Sequence, residues 1–186
     1  MGRRKQENGR SSRQVCCVNT LHKSKQMGSP PSGFIKINTD ASVTNEGWVG
    51  MGVVARDIEG SVLFAASKRI RAWWSVEVAE AKAITWALNL GSKFGHNNAI
   101  VETDCQVIIT KLMREERHNT DLDMVLSDAM AQSTRYSSLQ WSHVKREGNT
   151  VAHNLAKFIP FDPEQIWFNC VPPTVSHYVR MDIFAI

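Results

Sequence analysis

The order of strand-like and helix-like segments in this chain predicts an α/β domain. Its sheet is mixed and five-stranded, with the first three strands antiparallel, and helices flank it. Three observations lead there. Three short strand-like segments follow one another, separated by turn residues; a long amphipathic helical segment comes next; and a later strand opens directly into a helix, the pattern of parallel pairing with a crossover.

Each element has a local reason. Ser29-Pro30-Pro31-Ser32-Gly33 closes an N-terminal tail, because consecutive prolines stiffen the chain and glycine releases it, so the folded domain is expected to begin at Phe34. Residues 34–40 alternate imperfectly between apolar and polar. Residues 48–56 form a second strand carrying Gly50 and Gly52, where small residues permit close backbone approach. Asp57-Ile58-Glu59-Gly60 reads as a tight turn into a third strand at 61–70, which completes a meander. Residues 75–90 place Val76, Ala79, Ala83, Ile84, Ala87 and Leu88 at helical spacing, with Ser75 as N-cap and Gly91 near the end. Residues 99–103 are a short apolar strand leading into a helix from Cys105 to about Arg114. A helix at 122–131, a strand at 138–144 and a helix at 149–158, begun by the cap-competent Asn149, complete the domain. Residues 160–186 carry Pro163, Pro172 and Pro173 among large apolar residues and are expected to pack irregularly on the domain as an apolar extension. The division is therefore a tail at 1–33, a domain at 34–159 and an extension at 160–186.

A chain of 186 residues with 42% hydrophobic content can bury a core unaided. No run reaches the roughly 18 apolar residues of a membrane span, and the N-terminus lacks the apolar stretch of a secretory signal. An intracellular protein, in nucleus or cytoplasm, is expected, with four reduced thiols at Cys16, Cys17, Cys105 and Cys170, none spaced as a zinc site. Charge is uneven. Residues 1–30 hold seven basic side chains against Glu7, a local +6 that leaves −2 for the rest of a chain with net charge +4. Such a tail, poor in apolar residues, is not expected to fold alone; it is a solvated leader, a nucleic-acid-attracting arm or an organelle-targeting signal. The folded part is no natural polyanion binder, so phosphate binding there needs metal ions or a local basic patch.

Three carboxylates fall where such ions would be held. Asp40 and Asp104 end two strands expected to be central, and Glu80 projects from the helix covering that sheet, so all three can converge at one rim. Clustered carboxylates repel unless a cation lies between them, and two divalent ions about 3.5–4 Å apart would supply that charge and align a phosphodiester for in-line attack. Oxygen ligands suit Mg²⁺. Taken singly, each acid also has an ordinary reading as a salt bridge, a helix-face charge or, for Asp104, an N-cap of the next helix.

The motifs around these acids carry a resemblance. Ile37-Asn38-Thr39-Asp40-Ala41-Ser42, then Glu77-Val78-Ala79-Glu80-Ala81-Lys82-Ala83, then Val101-Glu102-Thr103-Asp104-Cys105-Gln106, then the stretch from Trp141 through His143, Lys145, Arg146, Asn149 and His153 to Lys157 resemble, in order, the ribonuclease H type 1 domain. The chain is more closely similar to the plant reverse-transcriptase-like, retroelement-derived branch, in which Pro-Pro-x-Gly precedes the first strand. The resemblance implies metal-dependent hydrolysis of the RNA strand of an RNA–DNA hybrid, with two Mg²⁺ ions, or Mn²⁺ in their place. It assigns Asp40, Glu80 and Asp104 as metal-binding catalytic acids and His143 as a catalytic histidine that helps proton transfer or product departure. Asn38 and Gln106 fall where family members contact nucleic acid. The partner implied is a hybrid or other nucleic acid, with no membrane, and a monomer is expected.

The chain departs from the family in two ways. His153 stands where the family has a fourth acid that is both catalytic and a metal ligand. Three carboxylates offer −3 against +4 from two Mg²⁺ ions, and imidazole is neutral at best and better suited to softer ions, so one metal is expected to bind weakly and cleavage to be reduced. The alternative is a catalytically inactive nucleic-acid-binding module, or a protein-interaction domain, of the same origin. The second departure is the short interval between Asp104 and His143, which leaves no room for the extra basic helix some members use to grip the hybrid; Lys145, Arg146 and the tail are the candidates for that task. The mixed run Lys111, Arg114, Glu115, Glu116 and Arg117 reads as a solvated helix end. Adjacent Trp73 and Trp74 at a strand-to-helix junction are expected to pack, with base stacking as the other possibility.

Overall fold

The computed structural model describes residues 29–114 and 120–179. Most of the basic tail and parts of the charge run and C-terminal extension lie outside them. The described chain forms β1 (Ile35–Val43), β2 (Trp48–Arg56), β3 (Val62–Arg71), α1 (Val76–Lys93), β4 (Asn98–Thr103), α2 (Gln106–Met113), α3 (Asp121–Ser133), β5 (Ser138–His143), a 3₁₀ turn (Arg146–Gly148), α4 (Thr150–Lys157) and β6 (Glu164–Phe168). The sheet runs β5-β4-β1-β2-β3-β6. The meander is antiparallel, as its turns require, and β4 and β5 join β1 in parallel through helical crossovers.

Helices cover both faces of this sheet. On one, Ile37, Val53, Phe64 and Val101 pack against Ile84 and Leu88 of α1, with Ile108 of α2 and Leu126 of α3 closing the same core. On the other, Val54 and Ala65 meet Val151 and Leu155 of α4, together with Trp167 and Val171 from the extension. Central β2 is accordingly buried along nearly its whole length. The small residues expected to admit a close approach do so: a Cβ on Gly50 or Gly52 would collide with the α4 backbone at Ala156 or Ala152.

Local chemistry sets the turns. Asp57 Oδ1 accepts from the N–H groups of Glu59 (2.9 Å) and Ser61 (2.8 Å), and Gly60 takes φ +80°. Ser75 caps α1, its Oγ accepting from Val78 N–H at 3.3 Å. The helix runs past Gly91 to Lys93 and ends where Gly95 adopts φ +81°. Gly91 does not stop it because the Tyr136 hydroxyl packs where a Cβ would lie, donating to the Leu88 carbonyl at 2.7 Å. Tyr136→Phe is therefore expected to cost about 1 kcal/mol, read as a lowered urea midpoint with unchanged slope.

Three expectations are corrected. The sheet has six strands, because part of the extension forms β6 on the free edge of β3. Its five residues sit between prolines, which mask a strand in the sequence and are tolerated only at an edge; Pro163 O accepts from Arg69 N–H at 2.9 Å. Cys170 is disulfide-bonded, not a thiol, whereas Cys105 is free. Lys111 is no solvated helix end: its Nζ lies 2.9 Å from Oδ1 of Asp123, a carboxylate buried at the start of α3.

Candidate active site

The site forms where β1 and β4 part. Their parallel pairing ends at Asn38 and Glu102, while β1 continues against β2 to Val43. Asp40 therefore lies inside a strand but beyond its pairing with β4, and Asp104 follows the last residue of β4. Glu80 reaches this gap from α1, and its Oε1 accepts from Ala41 N–H at 3.1 Å. One carboxylate oxygen from each of Asp40, Glu80 and Asp104 lies within 4.8 Å of the others.

Asp40 is 3% exposed and Glu80 5%. Burial, then the neighbouring carboxylates Glu80 and Asp104, push the Asp40 carboxyl up to about 9. Burial leads again at Glu80, with Asp104 adding to it, and its carboxyl stands at about 8 despite the Ala41 hydrogen bond. Arg146 acts in the opposite direction on both, which places its guanidinium within electrostatic range of the cluster. Buried Glu80 Oε2 has no hydrogen-bond partner among the described residues. Three convergent carboxylates, one with an orphaned oxygen, fit a divalent cation, which would relieve the repulsion.

His153 joins this cluster by a hydrogen bond to Asp40, with Nδ1 3.1 Å from Asp40 Oδ2, and it also feels the Asp104 charge. Burial, then the charges of Lys157 and Arg146, lower the imidazole's pKa. Burial thus disfavours the charged form of both partners, and the contact is a hydrogen bond between neutral groups more than an ion pair.

The remaining predicted residues divide by location. His143 ends β5 as an exposed side chain at the same rim, in register with Thr103. Gln106 is exposed at the start of α2, donating from Nε2 to Thr110 Oγ1 at 3.4 Å, and Lys145 and Arg146 are exposed at the start of the 3₁₀ turn. Asn38 is 1% exposed, and its amide is spent inside the sheet, donating to Glu102 Oε2 (3.0 Å) and accepting from Arg56 Nη1 (3.2 Å). It braces the end of the β1–β4 pairing and offers nothing to solvent.

Asn149 was missed. Read as a helix cap, it makes no capping bond; fully buried, it donates through Nδ2 to the Thr39 carbonyl at 2.9 Å and to Asp104 Oδ1 at 3.4 Å. It ties α4 to β1 and to one acid of the cluster. Asp104 likewise is no cap, since α2 has no side-chain capping bond. A cap-competent residue type looks the same in sequence whether it bonds its own helix or a distant strand.

A six-stranded mixed sheet in this order, with acids from β1, from α1 and from just past β4 converging beside it, defines a ribonuclease H-like domain. The chain belongs to the reverse transcriptase-like family, whose model matches residues 38–159. Solved structures agree with the fold. Ribonuclease H1 from the halophilic archaeon Halobacterium salinarum is 22% identical, with TM-score 0.63, covering 67% of this chain and 95% of its own. The N-terminal ribonuclease H domain of Rv2228c from Mycobacterium tuberculosis is 25% identical, with TM-score 0.60, covering 67% of this chain and 91% of its own. LC11 ribonuclease H1, isolated from compost by a metagenomic approach and solved with an RNA/DNA hybrid, is 25% identical, with TM-score 0.58, covering 65% of this chain and 92% of its own. No curated protein matches the chain.

Proposed function

We propose that this chain is a divalent-metal-dependent ribonuclease that hydrolyses the RNA strand of RNA–DNA hybrids, at a rate reduced by His153. The convergence of Asp40, Glu80 and Asp104 within 4.8 Å, from three separate elements, carries the reading. Those carboxylates would hold Mg²⁺ or Mn²⁺, and when bound the ions supply Lewis acidity and charge compensation to a phosphodiester. The protein's own part is positional. Glu80 is fixed by Ala41 N–H, Asp104 by Asn149, and Asp40 by its pairing opposite Gly52 of β2. His143, exposed at the rim, would exchange a proton with the departing or attacking oxygen. Exposed Gln106, Lys145 and Arg146 would steady the nucleic-acid backbone.

The test is cleavage of a labelled hybrid by wild type, Asp40→Asn and His153→Asp, in Mg²⁺ and in Mn²⁺. Wild type is expected to cut, Asp40→Asn to be inert, and His153→Asp to cut about ten-fold faster in Mg²⁺ by restoring an anionic oxygen donor. The His153–Asp40 contact favours a second reading, a nucleic-acid-binding module that has lost the cut, because it occupies an oxygen the ions would need. Tight hybrid binding without cleavage by any form would establish that reading instead; no binding in low salt would leave an interaction protein.

A further inference from the structure

Trp73 breaks the expectation that this tryptophan pair packs. Trp74 is partly buried beside Val49, Met51 and Ala79, but Trp73 is 81% exposed. An indole left in water forgoes the burial that makes tryptophan useful in a core. Its position is nonetheless defined: a Cβ on Gly47 would lie 2.9 Å from Cε2 and Cζ2 of Trp73, so the ring rests directly on the β1–β2 turn at its glycine. The turn is pinned to this segment as well, Ala72 N–H donating to Gly47 O at 3.0 Å.

The residue after Gly47 is Trp48. Trp48 stands directly opposite Arg71 on β3, and the Arg69 and Arg71 guanidinium carbons lie 4.7 and 4.9 Å from its ring centroid. Arg71 Nη1 is anchored by the Glu46 carbonyl at 2.9 Å. One acid lies close by, Glu46, its exposed carboxyl held low first by Thr44 and also by Arg69 and Arg71. Two guanidiniums thus outnumber it.

Cross-strand partners share a face, so the rows Asp40–Gly52, Ser42–Gly50–Arg69 and Trp48–Arg71 all look the same way. Thr44 N–H bonds Trp48 O, which puts Trp48 level with a residue four beyond Asp40, about 13 Å along the strand. A nucleic acid with its scissile phosphate at the acid cluster would reach this patch within a few nucleotides.

We propose that Trp73, with Trp48, Arg69 and Arg71, is a stacking platform for an unpaired nucleotide, so that the preferred substrate is a hybrid carrying a single-stranded extension. This rests on the nucleic-acid reading above and specifies it. A base within a duplex has both faces covered, and an exposed indole can stack only on an unpaired or terminal one; the guanidiniums take the phosphates beside it.

Binding is measured in the Asp40→Asn background, which is not expected to cut, using a blunt hybrid and the same hybrid with a single-stranded thymidine extension. The extension is expected to tighten binding by about five-fold or more, the lower end of one base–aromatic stack, and to quench tryptophan emission. Trp73→Ala should remove that gain and leave blunt-hybrid affinity within about two-fold; Trp73→Phe should keep most of it. Equal affinity for both oligonucleotides, or a gain that survives Trp73→Ala, overturns the platform and leaves the ribonuclease reading intact. Capture of the free extension through Trp73 without any affinity for blunt hybrid supports the platform and overturns the ribonuclease reading. No binding of either oligonucleotide overturns both.

Discussion

Replacing Asp40 with asparagine is expected to lower hybrid cleavage by at least about 100-fold to 1,000-fold and, at the same time, to raise the melting temperature of the metal-free protein at alkaline pH. The two effects share one cause. Asp40 is buried with Glu80 and within reach of Asp104, an arrangement suited to holding cations and costly without them. Asparagine keeps the shape and the capacity to meet His153, but it removes the charge and with it the ability to compensate a divalent ion.

The sign of the stability effect follows from proton counting. Asp40 rises from an ordinary 3.8 to about 9 in the metal-free fold, and Glu80 from 4.5 to about 8. Between those limits the folded chain holds more protons than the unfolded one, so stability is fully present below about pH 4 and is lost as pH rises toward 9. At about pH 8 the substitution should stabilise by about 2 kcal/mol or more, shrinking toward zero near pH 4. Melting wild type and Asp40→Asn side by side at both pH values isolates this contribution from every other titration. Divalent ions should stabilise wild type at the alkaline value and do much less for the variant. A variant no more stable than wild type at alkaline pH would mean that the cluster's repulsion is already relieved by other means.

What could be read in the sequence was what depends on neighbours along the chain. Ser75 announced α1, Asp57 and Gly60 the second turn, and the three acids their rim, because caps, turns and strand ends are written in a few consecutive residues. Residues whose role is set by distant partners were misread. Asn149 presents a cap-competent side chain, yet its bonds reach Thr39 and Asp104. Asn38 lies in a motif whose relatives touch nucleic acid, but Arg56 and Glu102 claim its amide. Trp73 looks like Trp74 in sequence; the difference lies in distant partners, one ring resting exposed on Gly47 of another turn and the other packing beside Val49, Met51 and Ala79. Strand β6 was hidden by the prolines that an edge position tolerates.

Gly52→Ala tests how the fold delivers His153 to the cluster, and it is expected to cost about 3 kcal/mol or more, the severe end of overpacking. Gly52 has an ordinary backbone conformation, so the penalty is one of space. Its added Cβ would collide with the Ala152 carbonyl oxygen and the Ala156 nitrogen and stand 2.9 Å from the Leu155 carbonyl carbon, all backbone atoms that cannot rotate aside. Helix α4 would have to lift from the sheet, drawing Val151, Ala152 and Leu155 out of the second core and His153 away from Asp40. For a chain of this size the melting temperature should fall by about 6–12 °C. Gly33→Ala supplies the contrast, since φ is +81° there with nothing within 4 Å of the new methyl group. Its cost is conformational, about 1 kcal/mol, and it should leave the His153 imidazole resonances unmoved. If Gly52→Ala were as mild as Gly33→Ala, α4 would be free to shift on β2, and close backbone packing would not be what sets the distance between His153 and Asp40.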